Sequence, residues 1–284
     1  MPYTTTQDML LHAQQHGYAV VGLAAYSLET MKILVETADR LGAPLMIQTT
    51  PRIVDHFGVE YIVSMVKIAA SHVNIPVALH LDHGDTLQRV SLCLETGYSS
   101  IMIDGSRLPY EQNVALVQEA VYRAHACGVA VEAELGRIGG VEDDVRVEDY
   151  EKMLTDPDTV SDFVMRTHID SLAIAMGTAH GMYRATPRLN LSLLKRVTEV
   201  TSIPIVLHGA SGVPDDSVQA AIAIGIAKVN IATELKIAYA GALRDFLQRY
   251  PDETDVRKYL RPALDAYVDV VEHKLKVAGA VGRY

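Results

Sequence analysis

Three histidines each close an apolar run and precede small residues: Leu81-Asp82-His83-Gly84, Thr178-Ala179-His180-Gly181 and Leu207-His208-Gly209-Ala210-Ser211. A strand ending in His-Gly delivers an imidazole to the rim of a sheet and then turns sharply. Three such strands suit a three-nitrogen metal site with an open fourth position, a common layout for catalytic zinc. Taken singly, each histidine has the alternative of a strand-end residue bonded to backbone. The context shared by all three favours the metal.

Two further segments carry anion chemistry. Gly209-Ala210-Ser211-Gly212 and Asn230-Ile231-Ala232-Thr233 combine small residues, which let backbone N–H groups approach an anion, with the hydroxyls of Ser211 and Thr233. An ordinary turn with helix-capping residues is the alternative. A third segment runs from Glu134 through Gly136, Gly139 and Gly140 to Glu142-Asp143-Asp144. It reads as a mobile, glycine-hinged loop able to deliver Glu142 as a general base, or as a solvated acidic loop.

The elements that position these groups follow from periodicity. Apolar, β-branched runs occupy 18–24, 44–50, 77–83, 99–106, 130–136, 171–177, 204–210 and 227–233. Between them lie helical patterns such as Leu28, Met31, Leu34, Val35 and Val114, Val117, Ala120, Val121. Strands alternating with helices imply parallel pairing. Eight such units in 284 residues predict one α/β domain over 1–284, a closed (β/α)₈ TIM barrel. An open doubly wound sheet is the alternative, disfavoured because no Gly-x-Gly-x-x-Gly turn follows the first strand. A short helix at 5–16 should close the barrel bottom, and two extra helices, 234–250 and 257–277, should follow the last strand. Active sites of such barrels lie at the C-terminal strand ends. His83, His180 and His208 would close strands three, six and seven, with Asp104, Glu134 and Asn230 near the ends of four, five and eight. Polar groups would then gather on one face while the strand bodies stay apolar.

Composition removes several function classes. Net charge is −10 with no basic run, so the footprint of a nucleic-acid binder is missing. No apolar stretch reaches the length of a membrane span, and the N-terminus lacks the pattern of a signal peptide. Cys93 and Cys127 form no Cys-x-x-Cys pair and read as buried small apolar residues of a reduced, cytoplasmic protein.

The chain resembles the class II, zinc-dependent ketose-bisphosphate aldolases, most closely their tagatose-1,6-bisphosphate branch. The matching motifs are Leu81-Asp82-His83, Ile103-Asp104-Gly105-Ser106, Val131-Glu132-Ala133-Glu134, Gly139-Gly140-Val141-Glu142, Gly177-Thr178-Ala179-His180-Gly181, Leu207-His208-Gly209-Ala210-Ser211 and Lys228-Val229-Asn230-Ile231-Ala232-Thr233. The resemblance implies cleavage of a ketose 1,6-bisphosphate, tagatose or fructose, to dihydroxyacetone phosphate and glyceraldehyde 3-phosphate. His83, His180 and His208 would hold zinc. Asp82 would protonate the aldehyde oxygen in condensation, and Glu142 would move the hydroxymethyl proton. Gly181, Gly209, Ala210, Ser211, Asn230, Ile231, Ala232 and Thr233 would bind the triose phosphate, partly beside a monovalent cation (Na⁺ or K⁺). Asp104 and Glu134 match a second-metal position, and Arg257 matches the arginine that receives the distal phosphate. Assembly as a homodimer or homotetramer, with or without an accessory subunit, is also implied.

Departures cluster near the first strands. Ala24 and Ser27 stand where asparagines are usual, Gly84 stands for a frequent histidine, and Thr50-Pro51-Arg52 replaces a small-residue turn. Alanine cannot make asparagine's hydrogen bonds, which leaves the aldehyde partner open. Alternatives are therefore an aldolase for a different ketose 1-phosphate, a non-catalytic subunit retaining the fold, or a zinc hydrolase on the same barrel.

Overall fold

The structure is a computed structural model that describes residues 3–142, 145–147, 154–181, 183 and 186–284, with backbone alone for 139–142 and 145–147. In chain order, α1 (Thr6–His16) precedes β1 (Val20–Ala24), α2 (Leu28–Arg40) and β2 (Leu45–Thr49). Two helices, α3 (Pro51–Phe57) and α4 (Val59–Ala70), lead to β3 (Val77–Gly84). The alternation continues through α5 (Leu87–Thr96), β4 (Ser100–Ile103), α6 (Tyr110–Ala126) and β5 (Ala130–Leu135). Strands β6 (Gly139–Glu142) and β7 (Val145–Val147) come before α7 (Pro157–Thr167) and β8 (Ser171–Ile174). After β9 (Ala179–His180) follow α8 (Leu191–Val200), β10 (Ile205–Leu207), α9 (Asp215–Ile224), β11 (Ile226–Ile231), α10 (Thr233–Arg249) and α11 (Val256–Val277).

The barrel closes in the order β1-β11-β10-β8-β5-β4-β3-β2 with every pair parallel. The predicted (β/α)₈ architecture is therefore observed, as are α1 and the two C-terminal helices. Tyr3 bridges Val77 and the Thr6 hydroxyl bonds Ser100, so α1 sits against the N-terminal strand ends. Helix α2 shows how sequence sets an element. Ser27 and Thr30 form a reciprocal capping box at its start, and Met31, Leu34, Val35 and Ala38 form its buried stripe.

Four expectations change. The segment from Gly139 is not a loop: β6 pairs antiparallel with β7 and parallel with β9, making a separate three-stranded sheet. Runs of two to four residues carry too little alternation to announce strands. Second, His180 does not close the sixth barrel strand. Strand β8 ends at Ile174, and Gly177, at φ +101°, turns the chain into β9, which carries His180. Third, Cys127 is exposed at the end of α6, while Cys93 is buried as expected; both are free. Fourth, the strand bodies are not uniformly apolar, because His80, Glu132 and Lys228 are buried within them.

Candidate active site

At the C-terminal end of β3 a bulge solves a geometric problem. Consecutive strand residues point to opposite faces, so Asp82 and His83 should diverge. Pairing of β3 with β4 runs Leu81↔Ile101 and then Gly84↔Ile103, three steps against two. His83 takes φ +48°, a left-handed conformation rare outside glycine. The bulge re-aims the chain at this point.

The three histidine rings converge. Ring centroids lie 5.0 Å apart for His83 and His180, 4.8 Å for His83 and His208, and 6.1 Å for His180 and His208. One nitrogen from each falls within 4.8 Å of the others. The donor set also fits zinc by its hydrogen bonding. His83 Nδ1 is 2.8 Å from Asp104 Oδ2, and His208 Nε2 is 2.7 Å from Glu132 Oε1. Both carboxylates fix the proton on those nitrogens and turn a lone pair toward the shared centre, an arrangement typical of metal-bound histidines. The freed nitrogens, His83 Nε2 and His208 Nδ1, lie 3.0 Å apart. Two nitrogens on one tetrahedral zinc lie roughly 3.3 Å apart, so this close approach suits a cation between them. His83, Asp104 and Glu134 form a second group whose ligand atoms lie within 4.8 Å of one another.

Beneath the histidines a buried polar chain runs into the barrel. The Lys228 ammonium donates to Glu132 Oε2 at 2.6 Å and to His80 Nε2 at 3.2 Å. His80 Nδ1 lies 2.7 Å from the Ser100 hydroxyl. Burial opposes ionisation of Glu132, but Lys228 and the His208 hydrogen bond outweigh it and hold the carboxyl well below its usual range. For Asp104, burial is likewise overridden, here by the His83 hydrogen bond. Burial, reinforced by Lys228, pushes His80 down to about 3, consistent with a neutral ring that accepts from the ammonium.

The His80 shift has a pH consequence. A depressed histidine stays unprotonated in the folded state while the unfolded chain takes up a proton below pH 6.5. Stability therefore falls with falling pH between about 6.5 and 3. From pH 7 to 5, His80 should remove on the order of 2 kcal/mol. Urea unfolding at both pH values measures this, and a flat profile would contradict a neutral, buried His80.

The remaining site residues divide clearly. A small cavity of about 50 Å³ is lined by Asp82, His180, Gly181, Gly209, Ser211, Asn230, Ala232 and Thr233. Asn230 Nδ2 donates to Asp82 Oδ1 at 3.2 Å, which ties the acid to the end of β11. Ser211 Oγ lies 3.3 and 3.4 Å from the backbone N–H groups of Ala232 and Glu234, so its hydroxyl caps α10 beside the cavity. Ala210 and Ile231 are buried and do not line this cavity. Glu142 ends β6, and its side chain lies outside the described residues. Arg257 is not brought to the site among the described contacts. Its side chain is 89% exposed and pairs at 2.8 Å with Asp255, the residue that caps its helix.

Sequence reading missed several contributors. Tyr183 accepts from the Ala179 N–H and donates to the Gly209 carbonyl, both at 2.7 Å, pinning the His180 strand to the His208 loop. Gln48, buried on β2, and Lys236, on the first turns of α10, also line the small cavity. Single residues of this kind carry no periodic or motif signal in the sequence.

A barrel with convergent histidines and a carboxylate at its C-terminal rim is the layout of a metal-assisted enzyme. Relatedness narrows it. A family model described as class II fructose-bisphosphate aldolase matches residues 4–283. The chain is 43% identical over 279 residues to the D-tagatose-1,6-bisphosphate aldolase subunit GatY of Klebsiella oxytoca, covering 98% of each. Among solved structures, the YdjI aldolase of Escherichia coli K12 superposes with a TM-score of 0.87 at 32% identity, covering 99% of each chain. The fructose-bisphosphate aldolase of Campylobacter jejuni shares the fold, with a TM-score of 0.83 at 20% identity over 99% of this chain and 97% of that one. The chain belongs to the class II fructose-bisphosphate aldolase family, and it is an aldolase, a carbon–carbon lyase. No described helix is long and apolar enough to cross a membrane.

Proposed function

We propose that this protein cleaves, and reversibly forms, a ketose 1,6-bisphosphate of the tagatose type, with dihydroxyacetone phosphate and glyceraldehyde 3-phosphate as products. The observation that carries the reading is the convergence of His83, His180 and His208 beside Asp82. His83, His180 and His208 would hold zinc, which when bound supplies a Lewis acid for the ketone of the substrate. Asp82, held by Asn230, takes the C4 hydroxyl proton as the C3–C4 bond breaks, and the electron pair passes to the C2 carbonyl oxygen. Glu142 then returns a proton to C3. The small cavity takes the triose phosphate through Gly181, Gly209, Ser211, Asn230, Ala232 and Thr233, while Ala210 and Ile231 are buried outside its lining. A monovalent cation beside that phosphate, Asp104 and Glu134 as a second metal position, a cytoplasmic setting, a homo-oligomer and one domain over 1–284 belong to the same reading.

The test is release of triose phosphate by the zinc-loaded protein from tagatose and fructose 1,6-bisphosphates and from ketose 1-phosphates. Preference for a bisphosphate is the expected result. Exclusive cleavage of a deoxy or short ketose 1-phosphate would replace the tagatose assignment, and no cleavage would favour the non-catalytic subunit. Asp82→Ala should lose cleavage by about 10²- to 10⁴-fold while C3 proton exchange on dihydroxyacetone phosphate survives. Parallel loss of both would show that the substitution disturbs His83.

A further inference from the structure

The Gly209–Gly212 loop beside the small cavity is locked from behind. Ser211 Oγ accepts from the Ala232 and Glu234 N–H groups, which occupies both lone pairs of its hydroxyl. The O–H proton is then what Ser211 has left to offer the cavity it lines, and a phosphate oxygen is an acceptor. Glu234 completes the lock in the opposite direction, because its Oε1 accepts from the Gly212 N–H. Loop and helix start thus hold one another.

An acid in the first turn of a helix is ordinary by itself. Glu234 differs in its partner. Its Oε2 lies 2.9 Å from the Lys274 ammonium of α11, whose side chain is 9% exposed. That side chain also lines an apolar void of about 10 Å³ with Val21, Ala210, Ile231 and Val277. Asp215 Oδ1 is farther from the ammonium, at 3.7 Å, and the other oxygen of Asp215 lies 2.8 Å from His273 Nε2. A lysine buried among apolar groups has lost its hydration and needs a close counter-charge.

The pair also solves a charge problem. Glu234 directly follows Thr233 and is bonded to the residue after Ser211, yet neither it nor Lys274 lines the cavity. A bare carboxylate there would repel a bound phosphate, and next to a buried lysine the repulsion is weakly screened. Lys274 cancels that charge while the carboxylate keeps its hold on Gly212.

We propose that Glu234 and Lys274 are positioning residues that set the affinity for triose phosphate. The ion pair fixes Ser211 as a hydrogen-bond donor and neutralises the carboxylate behind the anion. This rests on the aldolase reading above, which assigns the phosphate to that cavity.

The experiment follows C3 proton exchange on dihydroxyacetone phosphate in deuterated water. It compares the zinc-loaded wild type, Lys274→Met, Glu234→Ala and the double variant Glu234→Gln/Lys274→Met, with calorimetric binding of dihydroxyacetone phosphate and of inorganic phosphate alongside. Lys274→Met should raise KM about tenfold and change kcat by less than about threefold, because the uncompensated carboxylate opposes phosphate binding rather than proton transfer. The double variant should return KM to within about threefold of wild type, since glutamine removes the charge and its amide oxygen still accepts from Gly212. Glu234→Ala should raise KM about fivefold through loss of the Gly212 contact. Its position is partly exposed, so it keeps the test open if Lys274→Met does not fold. Unchanged KM in either single variant, a fall in kcat alone, or a double variant as impaired as Lys274→Met would overturn the proposal. If the wild type exchanges no proton, the aldolase reading fails and the calorimetric affinities decide alone. The same order among the variants would then support the clamp, and equal affinities or no binding at all would overturn it.

Discussion

Replacing His83, His180 or His208 with alanine is expected to lower zinc affinity by about two to three orders of magnitude and to abolish aldol cleavage. Binding of a zinc by protein ligands is worth on the order of 10 kcal/mol, and each ligand of a three-nitrogen site carries about a third of it. The His83 and His208 variants should still fold. Loss of His208 leaves Glu132 still paired with Lys228, and loss of His83 leaves Asp104 with the Ser106 N–H at 3.0 Å. Neither change strands a buried charge. Bound zinc after dialysis, together with melting in chelator, separates ligand loss from misfolding. Full zinc occupancy in any variant would remove that histidine from the site.

The second large effect lies one layer deeper. Glu132 and Lys228 are a buried ion pair, 2% and 0% exposed, and Glu132 also orients His208. Removing one partner of such a pair costs about 3–5 kcal/mol, because the other charge stays buried without compensation. Glu132→Gln and Lys228→Met should each show a loss of that order in urea unfolding, and the double variant should lose less than the sum. Glu132→Gln should also weaken zinc binding by about 10- to 100-fold, the usual effect of removing a carboxylate behind a metal-bound histidine. Additive losses, or zinc affinity unaffected by Glu132→Gln, would mean that the pair neither couples nor positions His208.

The barrel was legible because its signal is long: eight apolar runs separated by helices, each bounded by turn residues. The metal ligands were legible because His-Gly recurs in one context. Other features depend on alignment between distant strands. His80, Glu132 and Lys228 are single polar residues in apolar runs, and only closure of β11 and β3 around the barrel makes them one chain of hydrogen bonds. Likewise His180 was assigned to a barrel strand because the apolar run continues past Ile174, while the turn at Gly177 is a backbone property. The juxtaposition of Asp82 and His83 needed a bulge whose register shift involves β4.

The most direct measurement is exchange of the C3 proton of dihydroxyacetone phosphate for deuterium, followed by NMR in deuterated water. This half-reaction needs no aldehyde, so it tests the histidine centre and the triose-phosphate cavity apart from sugar specificity. Exchange should be fast with the zinc-loaded protein, disappear after chelation and return when zinc is restored. Exchange that persists without metal, or is absent from the fully loaded protein, would contradict a three-histidine zinc centre that activates the triose phosphate.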